Sequence, residues 1–251
     1  MSAVPGPRAA ADSPAAAAEP VPEPFPEAAG ARGPDRPGAR LPRRLVQLYA
    51  GLALYGASSA LLVAAGLGLE PWGVLHQGLA ERSGLSIGVV SILVGAVVLL
   101  LWVPLRQRPG LGTVSNVFVV GLAMDGTLAL LPAPDALAVR IPLLLLGIAL
   151  NGLATGLYIA AVFGPGPRDG LMTGLHRRTG LSIRLARTGV EVAVVATGFV
   201  LGGTVGAGTV AYALAIGPLA QFFLRRLAAP GSPGVSTVVA GRTPRRSILR
   251  R

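Results

Sequence analysis

Gly164-Pro165-Gly166-Pro167-Arg168-Asp169-Gly170-Leu171-Met172-Thr173-Gly174-Leu175-His176-Arg177-Arg178-Thr179-Gly180-Leu181-Ser182-Ile183-Arg184 decides how the rest of the chain reads, because the chain already carries a milder copy of it. The copy is Gly68-Leu69-Glu70-Pro71-Trp72-Gly73-Val74-Leu75-His76-Gln77-Gly78-Leu79-Ala80-Glu81-Arg82-Ser83-Gly84-Leu85-Ser86-Ile87-Gly88. In each, proline opens a short helix where its missing N–H costs nothing. Glycine ends that helix, and serine stands where its side chain can cap the next one. The pattern predicts short helices over Pro71–Ser83 and Pro167–Thr179.

Working outward, the two copies are in register without a gap. The offset 180 − 84 = 96 also pairs Arg44 with Arg140, Gly51 with Gly147, Pro71 with Pro167, Arg82 with Arg178 and Gly112-Thr113-Val114 with Gly208-Thr209-Val210. Chance alignment of apolar helices would match Leu and Val, but not Pro, Ser and Arg at loop positions. The chain therefore reads as a duplication of the kind found in transporters.

Six apolar runs are long enough to cross about 30 Å of hydrocarbon: Leu45–Leu67, Leu85–Leu105, Leu111–Leu131, Ile141–Phe163, Leu181–Leu201 and Ala207–Leu224. Three crossings per half is an odd number, so the second half must be inverted relative to the first. The expected fold is an all-α membrane protein of two inverted three-helix repeats, residues 41–132 and 133–226. Each repeat carries a short Pro-opened helix between its first and second crossings.

Composition agrees with that class. The chain is 52% hydrophobic and 13% charged, with a mean hydropathy of +0.63, which leaves too little polar surface for a soluble domain of this length. It has no cysteine, which excludes disulfides and thiolate metal sites. Its formal charge is +11, carried entirely by arginine. That excess reads as retention of cytoplasmic loops beside anionic headgroups, not as a nucleic-acid footprint. Arginines cluster before the first run, after the second, after the fourth and after the sixth, so both termini are expected in the cytoplasm of a plasma-membrane protein. Residues 1–40, rich in Ala and Pro, and residues 227–251, basic, read as disordered cytoplasmic tails. The first long apolar run follows Arg40, Arg43 and Arg44, which makes it an uncleaved anchor and not a signal peptide.

Leu69-Glu70-Pro71-Trp72-Gly73-Val74-Leu75, the loop Pro104-Leu105-Arg106-Gln107-Arg108-Pro109-Gly110-Leu111-Gly112-Thr113 and Gly164-Pro165-Gly166-Pro167-Arg168-Asp169-Gly170-Leu171-Met172 resemble the YczE-type branch of the YitT-related bacterial integral membrane proteins. The likeness covers residues 43–226. It implies a multi-pass cytoplasmic-membrane protein of unassigned activity and brings no catalytic residues with it. One departure is Glu70 before Pro71 with glycine at position 73, where relatives carry aspartate. This weakens the case for an acid with a two-fold-symmetric role.

Polar groups inside apolar runs are costly and mark candidate sites. Arg184, Arg187 and Glu191 share one face of the fifth run, and Arg187 can pair with Glu191. Their repeat partners Gly88, Ser91 and Gly95 are small, so a meeting of the two helices would leave a guanidinium-lined pocket. Asp125, whose partner is Gln221, and Glu191 are candidate coupling acids. Arg168 and Asp169, at the start of a helix whose free N–H groups suit an anion, are candidate ligands at the cytoplasmic mouth. The plain structural alternatives are an Arg187–Glu191 neutralising pair, a snorkelling Arg184 and an Asp125 reaching water or Arg140. His76 and His176 have no second ligand at metal spacing. No cofactor is expected, and no catalytic constellation points to an enzyme. The expected function is carriage of a small solute, anionic where the arginines set its sign, against a non-transporting membrane adaptor or assembly factor.

Overall fold

A computed structural model describes residues 41–132 and 134–227, and among these it contains eight α-helices and no strand. They are α1 (Leu41–Ala65), α2 (Pro71–Ser83), α3 (Ile87–Trp102), α4 (Leu111–Leu128), α5 (Leu137–Ala160), α6 (Pro167–Thr179), α7 (Ile183–Val200) and α8 (Ala207–Leu227). The two terminal segments expected to be disordered lie outside the described residues, apart from Leu227 at the end of α8.

The short helices have the predicted bounds, for the predicted reasons. Each begins with proline in its first turn. Each ends on a glycine in the left-handed region, Gly84 at φ 71° and Gly180 at φ 72°, where any Cβ would be strained. The Ser86 and Ser182 side chains then accept from the backbone N–H groups of Val89 and Leu185 to start α3 and α7.

Four helices, α1, α4, α5 and α8, are by themselves long and apolar enough to cross a membrane, and α2 with α3, bent by 113°, makes a fifth if taken as one broken span. The other two apolar runs, folded as α3 and α7, do not qualify alone. Serine capping starts α3 late, and turns from Val103 to Arg106 end it after 16 residues. α7 has 18 residues and spends three of them on Arg184, Arg187 and Glu191. Leu93, Val97, Phe118, Leu122, Leu145, Leu214 and Phe222 are exposed on the outside of the bundle, as lipid-facing side chains are.

At the centre, α1 lies along α5, with α4 against α1 and α8 against α5. The central pair is antiparallel and reciprocally tied. Arg44 near the start of α1 donates to Ala161 O at 3.0 and 3.1 Å and to Val162 O at 3.2 Å, just past the end of α5. Arg140 near the start of α5 donates to Ala65 O and Gly66 O, both at 2.7 Å, at the end of α1. Each arginine therefore satisfies carbonyls that a helix C-terminus leaves unpaired, and does so across the halves. The same reciprocity recurs where Gly112 N–H donates to Phe163 O at 3.0 Å and Gly208 N–H to Leu67 O at 2.8 Å. All these pairs of positions differ by the offset of 96 read from the sequence.

The outer helices break that correspondence. α3 packs along α4, whereas α7 and α8 barely touch. On the α3–α4 side a Cβ on Gly88 would run into the Gly121 carbonyl oxygen and the Asp125 carboxylate, so only glycine allows the approach. The Asp125 carboxylate then clasps the start of α3, accepting from Ser86 Oγ at 2.5 Å and from Gly88 N–H at 2.7 Å. At the corresponding positions of α7 and α8 stand Arg184, Gly217 and Gln221. A guanidinium replaces the glycine and an amide replaces the acid, and a Cβ on Gly217 would meet nothing within 4 Å. The bundle is open on this side.

Candidate functional site

The opening leads into a cavity of about 500 Å³ bordered by residues of all eight helices. Its floor is made by the starts of the two short helices. Trp72 and Arg168, which are repeat partners, meet there, with the Arg168 guanidinium carbon 5.0 Å from the centre of the Trp72 indole. Two helix N-termini, each with unpaired N–H groups, thus converge on one space.

Each N-terminus carries a carboxylate, supplied from a different position. In α2 the acid is Glu70, the residue before Pro71, and its carboxyl group folds over Gly73, 2.9 Å from where a Cβ on that glycine would sit. In α6 the acid is Asp169, in the first turn, and it lies 3.2 Å from the Cβ position of Gly166. Positions 70 and 73 correspond to 166 and 169, so acid and glycine have exchanged places while the carboxylate has kept its station. The expectation that Gly73 removes a two-fold-related acid is corrected here: a side chain three residues earlier supplies the group.

Glu70 is 4% exposed. One of its oxygens accepts from Ser59 Oγ at 3.2 Å, and the other, Oε2, has no partner. Trp72, 6% exposed, leaves its indole N–H unpaired as well. Buried polar atoms without partners are rare and costly, and two in one helical turn beside a cavity call for an explanation. Arg168 supplies the positive charge acting on Glu70. Asp169 stands beside Arg187, Arg168 and Tyr158 at the cavity border.

Arg168, Asp169, Arg184, Arg187 and Glu191, singled out from the sequence, all border this cavity. Arg187 Nε donates to Glu191 Oε1 at 2.9 Å as an i,i+4 pair with side chains 52% and 33% exposed. Asp125 does not border the cavity, and its carboxylate is engaged by Ser86 and Gly88 at the start of α3. Arg140, considered as its partner, is occupied with the end of α1. Ser91 and Gly95 also border the cavity, but α3 does not lie along α7: Val94 and Val98 of α3 and Val190 and Val194 of α7 meet around Trp72 and Trp102. Sequence reasoning missed Glu70 and Trp72 as site residues, together with Tyr55, Tyr158 and Tyr212, three of the four tyrosines in the chain.

A double-mutant cycle tests what the Arg187–Glu191 pair contributes. With both side chains about one-third or more exposed, the coupling in detergent should stay below about 1 kcal/mol, as for solvated i,i+4 pairs. Equilibrium unfolding of Arg187→Ala, Glu191→Ala and the double variant measures it. A coupling of several kcal/mol would mean that the pair is a desolvated structural tie.

Residues 42–225 match the family described as "Family of unknown function (DUF6198)". The chain belongs to this family. Among family-like relatives, an "Uncharacterized protein" of Haemophilus influenzae is 45% identical over 70% of this chain and 81% of its own length. The "Uncharacterized membrane protein YczE" of Bacillus subtilis is 31% identical over 70% of this chain and 83% of its own length. The "Uncharacterized protein YyaS" of the same organism is 25% identical over 69% and 89%. No solved structure matches. The resemblance drawn from the Gly164–Met172 run is thereby borne out, and with its several apolar helices this DUF6198 member is a membrane protein.

Proposed function

We propose that the protein carries a small polar solute across the plasma membrane, by rocking of two inverted halves about the cavity between the short helices. The observation that carries this reading is the cavity itself: about 500 Å³, within the usual size of a solute site, with two helix N-termini and six charged side chains at its border. The reciprocal Arg44 and Arg140 ties and the matched short helices support six crossings in two inverted repeats, with α3 and α7 each crossing together with a short helix. In this reading both termini are cytoplasmic and the arginine-rich loops rest on anionic headgroups. No enzymatic step is part of it.

Arginines alone argue for an anionic solute. Arg168, Arg184 and Arg187, however, share the cavity with Glu70, Asp169 and Glu191, so the formal charges cancel and the sign of the solute is not set by the guanidinium groups.

Solute flux into proteoliposomes tests carriage: protein-dependent movement of a polar solute is expected, and its absence across a broad panel would favour a membrane adaptor. Orientation is tested separately in this cysteine-free chain. Ser83→Cys and Thr179→Cys, both at exposed ends of the short helices, should react with impermeant thiol reagents from opposite sides. Reporter fusions after residues 38 and 230 should both read cytoplasm. Same-side labelling would rule out the inverted arrangement.

A further inference from the structure

We infer that Glu70 and Trp72 form a subsite for hydroxyl groups, and that the solute is a small neutral polyol. The inference rests on the reading of the cavity as a solute site and specifies what that site takes.

The two groups are complementary in kind. Glu70 Oε2 is an acceptor without a donor, and Trp72 Nε1–H is a donor without an acceptor. Both belong to one helical turn and to residues that are more than nine-tenths buried and line the cavity, and a solute reaches the two atoms by a small turn of either side chain. An ammonium group would serve only the first and a carboxylate only the second, while a phosphate that keeps a proton would serve both but bring net negative charge. A hydroxyl donates and accepts, so a molecule carrying several of them satisfies both atoms without bringing net charge.

Charge argues the same way. Three guanidinium groups and three carboxylates border the cavity, and the positive ends of α2 and α6 are each covered by an acid, Glu70 and Asp169. A net anion would meet carboxylates at both helix starts, and a net cation would meet Arg168 over Trp72. A neutral solute meets neither obstacle. The remaining walls suit a polyol, since the rings of Tyr55, Tyr158 and Tyr212 offer apolar faces to C–H groups and carry hydroxyls of their own.

The experiment uses purified full-length protein. Equilibrium dialysis with radiolabelled sorbitol reads binding in detergent, and light scattering of proteoliposomes reads flux under gradients of erythritol, sorbitol, glycine betaine or inorganic phosphate. Sorbitol should bind, and the polyols should cross faster than betaine or phosphate. Trp72→Phe keeps the ring beneath Arg168 and removes the N–H, and Glu70→Gln keeps the shape and removes the charge. Trp72→Phe should weaken sorbitol binding roughly five- to tenfold, the effect of one neutral hydrogen bond, and Glu70→Gln roughly tenfold or more, since the bond it loses is charge-assisted, each with unchanged elution on size exclusion.

Betaine or phosphate crossing while polyols neither bind nor cross would overturn the inference and leave the carrier reading standing. Sorbitol binding that both variants weaken, with no solute crossing, would keep the subsite and remove the carrier. Sorbitol binding that neither variant changes would assign the two orphan atoms to water and overturn the subsite. No binding and no flux would remove both.

Discussion

Arg184→Gly combined with Gln221→Asp is expected to shut the cavity. The pair of changes writes into α7 and α8 the residues that hold α3 to α4, where Gly88 lets the helices touch and Asp125 grips Ser86 Oγ and the Gly88 N–H. Ser182 already stands at the position of Ser86 and caps α7 in the same way, and Gly217 already stands at the position of Gly121 with open space beside it. A charge-assisted clasp of two hydrogen bonds contributes about 1.5–3 kcal/mol for each bond made. Arg184 stands in the first turn of α7 and is exposed, so exchanging its charge for an aspartate on α8 adds little beyond the clasp itself. The double variant should therefore unfold at higher denaturant or temperature than the parent and lose solute flux altogether. Each single change should do less than half of this, because an aspartate facing Arg184 pairs with a guanidinium that still holds the helices apart, and a glycine facing Gln221 meets no carboxylate. A double variant with unaltered flux would detach the α7–α8 gap from solute movement.

The second large effect runs the other way. Gly88→Val should abolish accumulation of folded protein, since its Cβ alone would collide with the Gly121 carbonyl oxygen and the Asp125 carboxylate. The first obstacle is backbone, and the second is a carboxylate held by Ser86 Oγ and the Gly88 N–H. The helices must separate, which strands the buried start of α3 and breaks both hydrogen bonds to Asp125. Overpacking of this kind costs about 1–3 kcal/mol before the lost bonds are counted, so the total is a large fraction of the margin by which any domain is stable. Gly217→Val, the same change at the partner position of Gly121, should be tolerated because nothing lies within 4 Å of its Cβ. Yields of folded protein on size exclusion compare the two directly. Equal behaviour would mean that α3–α4 and α7–α8 are equally close in the membrane.

The contrast between these two glycines shows where the sequence was readable. Proline at a helix start, glycine in the left-handed region and serine at an N-cap act within a few residues, so the bounds of α2 and α6 could be read directly. The constant offset of 96 is likewise one-dimensional, and the contacts of Arg44 and Arg140 follow it. What could not be read depends on which of several apolar faces meet. Gly88 and Gly217 look alike in sequence, yet one is crowded and the other is free. Asp125 presents the same intramembrane acid as Glu191, but it is used up in holding α3. Glu70 looked like a break in symmetry because symmetry was sought position by position, whereas a long side chain can reach back three residues to restore it. The membrane class and the family were legible from composition and the Gly164–Met172 run, and are upheld. The Glu70–Trp72 end of the cavity was not, since two unpaired atoms become visible only after every neighbour has been placed.

The ties between α1 and α5 also set a schedule for synthesis. Arg44 is bound by a carbonyl that lies 117 residues further along the chain, a stretch that a ribosome needs roughly 6–23 s to make at 5–20 residues per second. During that interval α1, α2, α3 and α4 are present, but α1 has neither its long neighbour nor the acceptors for Arg44. Arg140 arrives sooner and finds Ala65 and Gly66 already made, 75 and 74 residues earlier. Nascent α5 can therefore anchor by its leading end to the finished end of α1 and zip along it until Ala161 captures Arg44. The last event completes both helices at once, so a chain stalled before residue 161 has α1 packed on α4 but leaves Arg44 without its carbonyl partners.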